Sequence, residues 1–329
     1  MLTNLLVKRR RFFKYVGLGT AGLLCSTHRG VVAATSDLAI APTHNSALKT
    51  FQFSHTSLDT RGLAKSVNTY TAKYFSEPLQ LSSSLEMVAI APNQFIMGAA
   101  ASESQAKQQE SPQHRVNIDA FLMSKYPITQ AQWAAVAALP KVHRELNPMP
   151  SHFPESVGRN QAGFHPVESV SWLDAVEFCD RLSQYTGKTY RLPSEAEWEY
   201  GCRAGSQTPF STGATITSER ANYVGRYTYK SEAGGEYRHS TAPVGSFAPN
   251  AFGLYDMHGN VWEWCADRWH TSYHGAPVNG KAWLSGQSSQ RTIRGGSWSD
   301  QPATLRSASR SGYVETGLNR TIGFRVVTT

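Results

Sequence analysis

Apolar and polar positions alternate clearly in only part of the chain, and that part predicts a mixed α and β domain. Residues 87–90 and 95–97 carry apolar side chains on either side of a Pro–Asn–Gln turn, which predicts two short strands. Residues 115–121 alternate apolar and polar positions and predict one half-buried strand. Thr129 then has the character of a helix N-cap, so residues 130–138 are expected to be helical.

Two further helices are expected, each beginning at a serine. Ser171 precedes residues 172–184, whose apolar side chains fall on one helical face. Ser194 and Glu197 have the spacing of a capping box, so we assign Glu197 a structural role rather than that of a catalytic acid. From residue 205 onward glycine, serine, threonine, tyrosine and asparagine dominate, and short strands joined by long loops are expected.

The segment before these elements has no sustained period. Residues 35–85 are rich in serine and threonine, and we expect a linker or a loosely packed arm. Phe51 and Phe53 alternate as they would in a strand, so part of this arm could lie across the domain. The folded domain is therefore expected to span residues 86–329.

The N-terminus predicts an export signal. The basic cluster at 8–14 resembles the twin-arginine signal, in which two arginines precede an apolar pair and a lysine. The apolar stretch at 15–25 is too short to span a bilayer, and residues 32–34 offer small side chains for cleavage. We expect a signal peptide over 1–34 and export by the twin-arginine machinery to the periplasm, thylakoid lumen or cell exterior of a bacterium. A basic tail on a cytosolic protein is the alternative.

The net charge argues against one class of partner. The formal charge of +8 includes six basic residues within 1–34, where there is no acidic residue, and removing them leaves about +2. A nearly balanced domain offers no broad basic surface to a polyanion, so no nucleic-acid partner is expected. No membrane-spanning segment is expected either.

An unusual group of residues lies at 250–269. Gly259 and Asn260 favour a tight turn because both tolerate positive φ, and the residues after them favour a buried strand. Glu263 then lies between two tryptophans, where a lone carboxylate would be costly. We therefore expect either a metal ion or a charged partner beside Glu263.

Taken together, eight segments resemble the formylglycine-generating, or sulfatase-modifying-factor, family in the expected order. The resemblance implies an α+β, C-type-lectin-like fold with small antiparallel sheets, two main helices and much irregular loop. The matching segments are 87–98, 126–130, 166–175, 191–205, 242–244, 250–269, 294–298 and 323–327.

The resemblance also implies structural calcium. One family site is made of two side chains and two backbone carbonyls, and it corresponds to Asp256, Gly259, Val261 and Glu263. A second family site would use Asn222, the Tyr223 carbonyl and Glu236. The alternative for the first site is a cluster held by hydrogen bonds alone.

The chemistry of the family is not expected here. Its formylglycine-generating members hold copper(I) with two cysteines just after the Gly–Gly–Ser–aromatic motif, because soft thiolates suit that ion. Residues 299–305 contain no cysteine, and Asp300 stands where the first would be. We therefore expect neither bound copper nor formylglycine formation.

The remaining cysteines and histidines also lack a catalytic pattern. An odd number of cysteines, Cys179, Cys202 and Cys265, remains after the signal peptide, and buried structural thiols are the simplest interpretation. Ser307 and Val326 stand where family disulfides would place partners for Cys179 and Cys202. No set of two histidines and a carboxylate for non-haem iron is evident, and His258 is interpreted as a turn residue.

The family also includes target proteins of diversity-generating retroelements, whose C-terminal segment is varied between the last two motifs. In that segment Leu305, Arg306, Ala308 and Arg310 look fixed, and small polar residues or tyrosine lie between them. Such residues suit an adaptable recognition surface on a rigid scaffold. The candidate ligand surface comprises Trp298, Ser299, Asp300, Gln301, Thr304, Ser309, Ser311, Tyr313, Glu315, Thr316, Asn319 and Thr321.

We therefore expect an exported, calcium-stabilised, non-catalytic protein that binds a protein or small-molecule ligand. The alternatives are a periplasmic enzyme of the same family, an oxidoreductase or maturation factor of the pigment or siderophore kind, and a structural envelope protein. An enzyme predicts a pocket with perturbed titratable groups near Trp298, Asp300 and Arg306, whereas a binding protein predicts an open, shallow face. Arg294, Arg306 and Arg325 are expected to pair with carboxylates, and Trp262, Trp264 and Trp298 to lie in the core.

Overall fold

The computed structural model describes residues 48–153 and 163–329. Within them, the strands are β1 (Lys49–Leu58), β2 (Ala64–Pro78), β3 (Ser84–Ile90), β4 (Asn93–Met97), β5 (His114–Ile118), β6 (Phe121–Ser124), β7 (Tyr190–Arg191), β8 (Trp262–Arg268), β9 (Gln290–Arg294), β10 (Arg310–Val314), β11 (Ile322–Gly323) and β12 (Val327–Thr328). The helices are α1 (Gln130–Ala137), α2 (Trp172–Thr186) and α3 (Glu195–Arg203). The predicted signal peptide and residues 35–47 lie outside the described residues.

The strands form three small sheets. The largest has the order β1-β2-β3-β6-β12-β7, the second has the order β10-β9-β8-β11, and β4 pairs with β5 alone. All neighbours are antiparallel except β11, which runs parallel to β8. Small antiparallel sheets beside three short helices confirm the α+β class.

All three helices begin with a capping box, as their sequences require. At α3, Ser194 accepts a hydrogen bond from the Glu197 amide (3.0 Å), and Glu197 accepts one from the Ser194 amide (2.8 Å). Glu197 also pairs with Arg191 at 2.7 Å, so its structural role is confirmed. α2 runs two residues past its predicted end and stops at Gly187, whose φ of 70° a glycine adopts without strain.

The predicted strand over 115–121 is two strands. β5 pairs with β4, whereas β6 pairs with β3 and β12 in a different sheet. Asp119 and Ala120 form the break between them. The alternation of apolar and polar positions continues through the break because both β5 and β6 direct their apolar side chains toward the interior.

The arm expected over 35–85 is instead mostly regular structure where it is described. β1 and β2 form a long antiparallel hairpin that extends the six-stranded sheet. Phe51 and Phe53 pack over Gly253, where an added Cβ would lie 2.7 Å from the Phe51 ring. His55 lies 3.0 Å from the carbonyl oxygens of both Pro249 and Ser211. The linker interpretation is therefore wrong for residues 49–58 and 64–78, and the domain begins before residue 86.

The core contains the three predicted tryptophans. Trp262, Trp264 and Trp298 are 7%, 0% and 4% exposed, which confirms the sequence interpretation. Cys179, Cys202 and Cys265 are also buried, and none forms a disulfide. Among the residues that the structure describes, no helix has the length and apolar character needed to cross a membrane.

Buried arginines join the C-terminal segment to α3. Arg294 pairs with Glu195 at 2.7 Å and with Glu199 at 2.5 Å, and Arg310 pairs with Glu195 at 2.6 Å. Burial alone would raise the pKa of Glu195, but the two guanidinium groups outweigh it and lower that pKa to about 2. Each charge in this cluster is therefore compensated within the protein.

Two more buried arginines act in the same way. Arg306 pairs with Glu103 (2.6 Å) and with both oxygens of Glu110 (2.6 and 2.7 Å). Arg325 holds both oxygens of Glu263 at 2.6 and 2.8 Å. The predicted pairing of arginines in this region with carboxylates is confirmed.

Substitution of Arg306 by alanine should destabilise the domain strongly, because it leaves two buried carboxylates without a counter-charge. We expect a loss of about 3–5 kcal/mol in the free energy of unfolding, measured by urea denaturation. The matched control is Arg61→Ala, which breaks an exposed pair with Asp59 (3.2 Å) and should cost about 1 kcal/mol or less. Equal losses in the two variants would contradict the account.

Candidate functional site

The candidate ligand surface begins after β9 and ends at β11. A short 3-10 helix at Pro302–Leu305 leads into β10, which is an edge strand paired only with β9. Residues 315–321 then form a loop that leads to β11. One side of this segment faces the interior and the other faces solvent.

The residues that looked fixed in the sequence are those that face the interior. Leu305, Arg306 and Ala308 are 0% exposed and Arg310 is 1% exposed. Their burial explains why their residue types differ from those of their polar neighbours. Replacing any of them would disturb the core or a buried ion pair.

The twelve candidate surface residues fall into three groups. Ser299, Gln301 and Thr316 are exposed. Half-buried residues are Asp300, Thr304, Ser311, Tyr313, Glu315, Asn319 and Thr321. Trp298 and Ser309 are buried. Trp298 is 4% exposed and Ser309 is 1% exposed, so the assignment of both residues to the ligand surface is wrong.

Asp300 is held by one oxygen and leaves the other available. Its Oδ2 accepts hydrogen bonds from the amide and hydroxyl of Ser297 (3.0 and 2.5 Å) and from the Trp262 indole (2.9 Å). No described residue donates to Oδ1. Burial raises the pKa of Asp300 above its usual range. An oriented carboxyl group with one available oxygen thus lies within the candidate ligand surface.

The loop of residues 315–321 is fixed by its own polar groups. Glu315 pairs with Arg291 at 2.8 Å, and its carbonyl accepts from the Trp172 amide at α2 (3.1 Å). The Asn319 side chain accepts from the amide and hydroxyl of Thr321 (3.0 and 2.9 Å). These contacts orient the loop and engage the Glu315 carboxylate and the Asn319 side-chain oxygen.

The first predicted calcium site contains unsatisfied oxygen donors. Asp256 adopts a left-handed φ of 57°, and its Oδ2 accepts from the Gly245 amide (2.8 Å). Its Oδ1 is buried and has no partner among the described residues, and burial raises its pKa to about 6. The Gly259 carbonyl also accepts no hydrogen bond from a described residue. A buried carboxylate oxygen without a partner is a suitable ligand for calcium, and the site stays a prediction.

Glu263 does not need calcium as a counter-charge. Both of its oxygens are held by Arg325, and one also accepts from the Trp198 indole (2.7 Å). Of the two partners expected for Glu263, a metal ion or a charged side chain, the structure shows the charged side chain, an arginine 62 residues later in the chain. Any calcium at Asp256 would share Glu263 with this ion pair.

The second predicted calcium site stays a prediction, and its residues lie as follows. Asn222 is buried and its Oδ1 lacks a partner among the described residues. Its Nδ2 donates to Ser240 and to Asn260. Glu236, however, is largely exposed and pairs with Arg238 at 2.8 Å. Nor does any group of three histidine, cysteine or acidic side chains suited to a metal occur in the described part of the chain.

The three thiols in the described part of the chain are buried. Burial raises the pKa of Cys202 to about 12, and the pKa values of Cys179 and Cys265 are raised as well. Cys202 Sγ lies 3.7 Å from the hydroxyl of Ser307. His258 is buried, bonds to the Leu305 carbonyl (2.7 Å) and has a pKa lowered to about 4 by burial, in keeping with a structural turn residue.

The sequence did not predict one cluster of two arginines and two aromatic rings. Arg226 lies over the Tyr237 ring (5.5 Å), Tyr237 is nearly parallel to Trp298 (6.4 Å between centroids), and Arg320 lies over Trp298 (5.4 Å). These four residues come from three separate segments with no helical or strand period. Only the fold brings them together, so no local pattern could have revealed them.

Comparisons with known proteins give the relationships of the chain. Residues 71–329 match the family described as "Sulfatase-modifying factor enzyme 1-like domain". The formylglycine-generating enzyme of Bos taurus is 32% identical over 288 residues, covering 73% of this chain and 74% of that protein. The match begins inside β2, which agrees with a domain that starts before residue 86.

Solved structures show the same fold. PvdO from Pseudomonas aeruginosa is 36% identical with a TM-score of 0.62, covering 74% of this chain and 94% of that chain. Treponema denticola variable protein 1 is 24% identical with a TM-score of 0.64, covering 78% and 98%. The second likeness shows the fold alone, and both support the predicted C-type-lectin-like architecture.

Proposed function

The chain belongs to the sulfatase-modifying-factor family, and from that premise we propose that it is an exported, calcium-stabilised protein that binds a ligand without catalysis. The binding surface is the outward-facing part of residues 298–321. The ligand is a protein or a small molecule, and it contacts side chains that the fold does not use.

The proposal is supported by one observation, which is that the inward-facing and outward-facing side chains of this segment have different roles. Arg306 and Arg310 face the interior and hold the backbone in place through buried ion pairs. Ser299, Gln301 and Thr316 lie exposed between such fixed points. Small polar side chains on a rigid backbone can change without loss of the fold, which is the property required of an adaptable recognition surface.

The absence of the family's redox groups supports the same conclusion. Residues 299–305 contain no thiol, and the three cysteines in the described part of the chain are buried with raised pKa values. A single carboxylate at Asp300 is a hard donor and does not suit copper(I). Copper-dependent formylglycine formation is therefore not part of the proposal.

An enzyme of the same family is the second candidate, and Asp300 is the observation that favours it. Three hydrogen bonds fix one carboxyl oxygen, and burial raises the pKa of Asp300 above its usual range, as in many carboxyl groups that transfer protons. The 32% identity to the formylglycine-generating enzyme of Bos taurus also favours an enzyme. This candidate requires that Asp300→Asn abolish a chemical activity while ligand affinity persists.

Export and calcium complete the proposal. The basic cluster at 8–14 supports export by the twin-arginine route to the periplasm, thylakoid lumen or cell exterior. Asp256 and the Gly259 carbonyl would hold the calcium ion, which would neutralise a buried carboxylate and stiffen the turn that precedes β8. Asn222, Tyr223 and Glu236 would form the second calcium site, which the buried and unpartnered Asn222 Oδ1 supports.

Deep sequencing of the codons for residues 290–329 from many cells of one source population tests the binding function. We expect substitutions confined to the exposed positions between 299 and 321, at adenines of the template strand, with residues 1–290 invariant. A uniform 3′ end would remove the main support for a diversified binding surface and favour the enzyme.

Asp256→Asn tests the calcium site through stability. Without metal, the folded protein keeps the Asp256 proton up to about pH 6, because burial raises the pKa of Asp256, whereas the unfolded chain loses that proton near pH 3.8. Wild-type stability should therefore fall between pH 4 and pH 6 relative to the variant, and the variant should be the more stable at pH 7.5. Calcium should raise the Tm of the wild type and leave the variant unchanged. An equal calcium response in both proteins would contradict the site.

A further inference from the structure

We propose that His55 is a protonation switch that controls how firmly the β1–β2 hairpin is held against the rest of the domain. Its imidazole ring lies between two main-chain carbonyl oxygens, and only the doubly protonated ring can donate a hydrogen bond to each of them. Two hydrogen bonds therefore hold β1 at this position when His55 is charged, and one holds it when His55 is neutral. This inference goes beyond the binding function proposed above and does not depend on it.

The two carbonyl groups that contact this ring come from different loops. Nδ1 of His55 lies 3.0 Å from the Pro249 oxygen, and Nε2 lies 3.0 Å from the Ser211 oxygen. A carbonyl oxygen can only accept a hydrogen bond, and a neutral imidazole carries one N–H and one lone pair. With a neutral ring, lone pairs would therefore face each other at one of the two contacts. The geometry fits the imidazolium ion, which donates from both nitrogens.

The ring is largely shielded from water, so a lost hydrogen bond is not easily replaced. His55 is 8% exposed, and Phe53, on the same face of β1, is 9% exposed. Tyr70 of β2 packs against the ring at a steep angle, with 6.4 Å between the ring centres. A buried polar nitrogen without a partner has lost its hydration without gaining a hydrogen bond, which is unfavourable. Deprotonation of His55 should therefore weaken the attachment of β1.

Both loops that present the carbonyl groups are fixed by other contacts. The Ser211 amide donates to Nε2 of His258 (3.0 Å). The side chain of Asn250, next to Pro249, donates to the Gly201 carbonyl in α3 (2.7 Å). Most of β2, in contrast, is exposed. The hairpin is therefore the part that moves when one of the two hydrogen bonds of His55 is lost.

The other titratable and charged groups around this contact keep their charge near neutral pH. His258, from the turn before β8, is buried, and burial lowers its pKa to about 4, so it stays neutral where histidines ordinarily titrate. Arg203, at the end of α3 near His258, is paired with Glu199 at 2.8 Å. From β2 the ring is faced by the phenol of Tyr70. A change of charge at this contact between about pH 5 and pH 8 would therefore come from His55.

Amide hydrogen exchange of the full chain tests the switch. The quantity measured is the opening constant of the β1 amides relative to that of the α2 amides, each corrected for the intrinsic exchange rate. We expect this ratio to rise about tenfold from pH 5 to pH 8, because one hydrogen bond is lost when the ring loses a proton. His55→Gln, whose side chain does not titrate, should show no such rise. The matched control His274→Gln, which removes an exposed histidine, should keep the full rise.

NMR of the wild-type protein gives a second test that does not require a variant to fold. At pH 5 we expect scalar couplings across hydrogen bonds from both ring nitrogens of His55, to the carbonyl carbons of Pro249 and Ser211. At pH 8 only one of the two couplings should remain. Coupling from one nitrogen or none at pH 5 overturns the proposal, as does a β1 opening ratio that is equal at the two pH values. An equal rise of that ratio in the wild type and in His55→Gln overturns it as well.

Discussion

Buried pairs of arginine and glutamate are the interaction on which the C-terminal half of this domain depends. Arg294, Arg306, Arg310 and Arg325 are 0–1% exposed, and each holds at least one glutamate from an earlier part of the chain. Desolvating such charges is costly, and removing one partner leaves the other uncompensated. The ion pairs therefore hold the backbone between these arginines in one arrangement. The polar side chains on its outer side are displayed on this fixed backbone.

This constraint also separates stability from recognition. The inward-facing residues of 299–321 carry the ion pairs and the core contacts, whereas Ser299, Gln301 and Thr316 carry neither. Asp300 shares the properties of both groups. One carboxyl oxygen accepts hydrogen bonds that stabilise the fold, and no described residue donates to the other oxygen. A binding protein would use that oxygen as a fixed acceptor, and an enzyme would use it for proton transfer.

Much of the fold could be read from the sequence, because caps and buried motifs act locally. The first residues of the three helices are predictable because side-chain hydrogen bonds within a single turn cap them, at Thr129, Ser171 and Ser194. The hairpin of β1 and β2 was not predicted, because most of β2 is exposed on both faces and so lacks the alternation that marks a half-buried strand. Its Ser- and Thr-rich composition is shared by linkers and by solvated strands.

The site was less predictable, because its contacts join residues far apart in the chain. The sequence around Glu263 requires a counter-charge, but it cannot distinguish a calcium ion from Arg325, which lies 62 residues later. Serine is a residue type common at protein surfaces, but Ser309 is buried because its neighbours in the chain face inward. Arg226 and Tyr237 reach Trp298 only through the tertiary fold.

The most direct test of the central claim is a saturation-mutagenesis scan of residues 299–321, read out by protease resistance of the displayed protein. The account predicts that Ser299, Gln301 and Thr316 tolerate most substitutions with unfolding free energies within about 0.5 kcal/mol of wild type. It predicts that Arg306 and Arg310 tolerate almost none, because their ion pairs fix the segment. Similar intolerance at exposed and buried positions would contradict a binding surface that is separable from the scaffold.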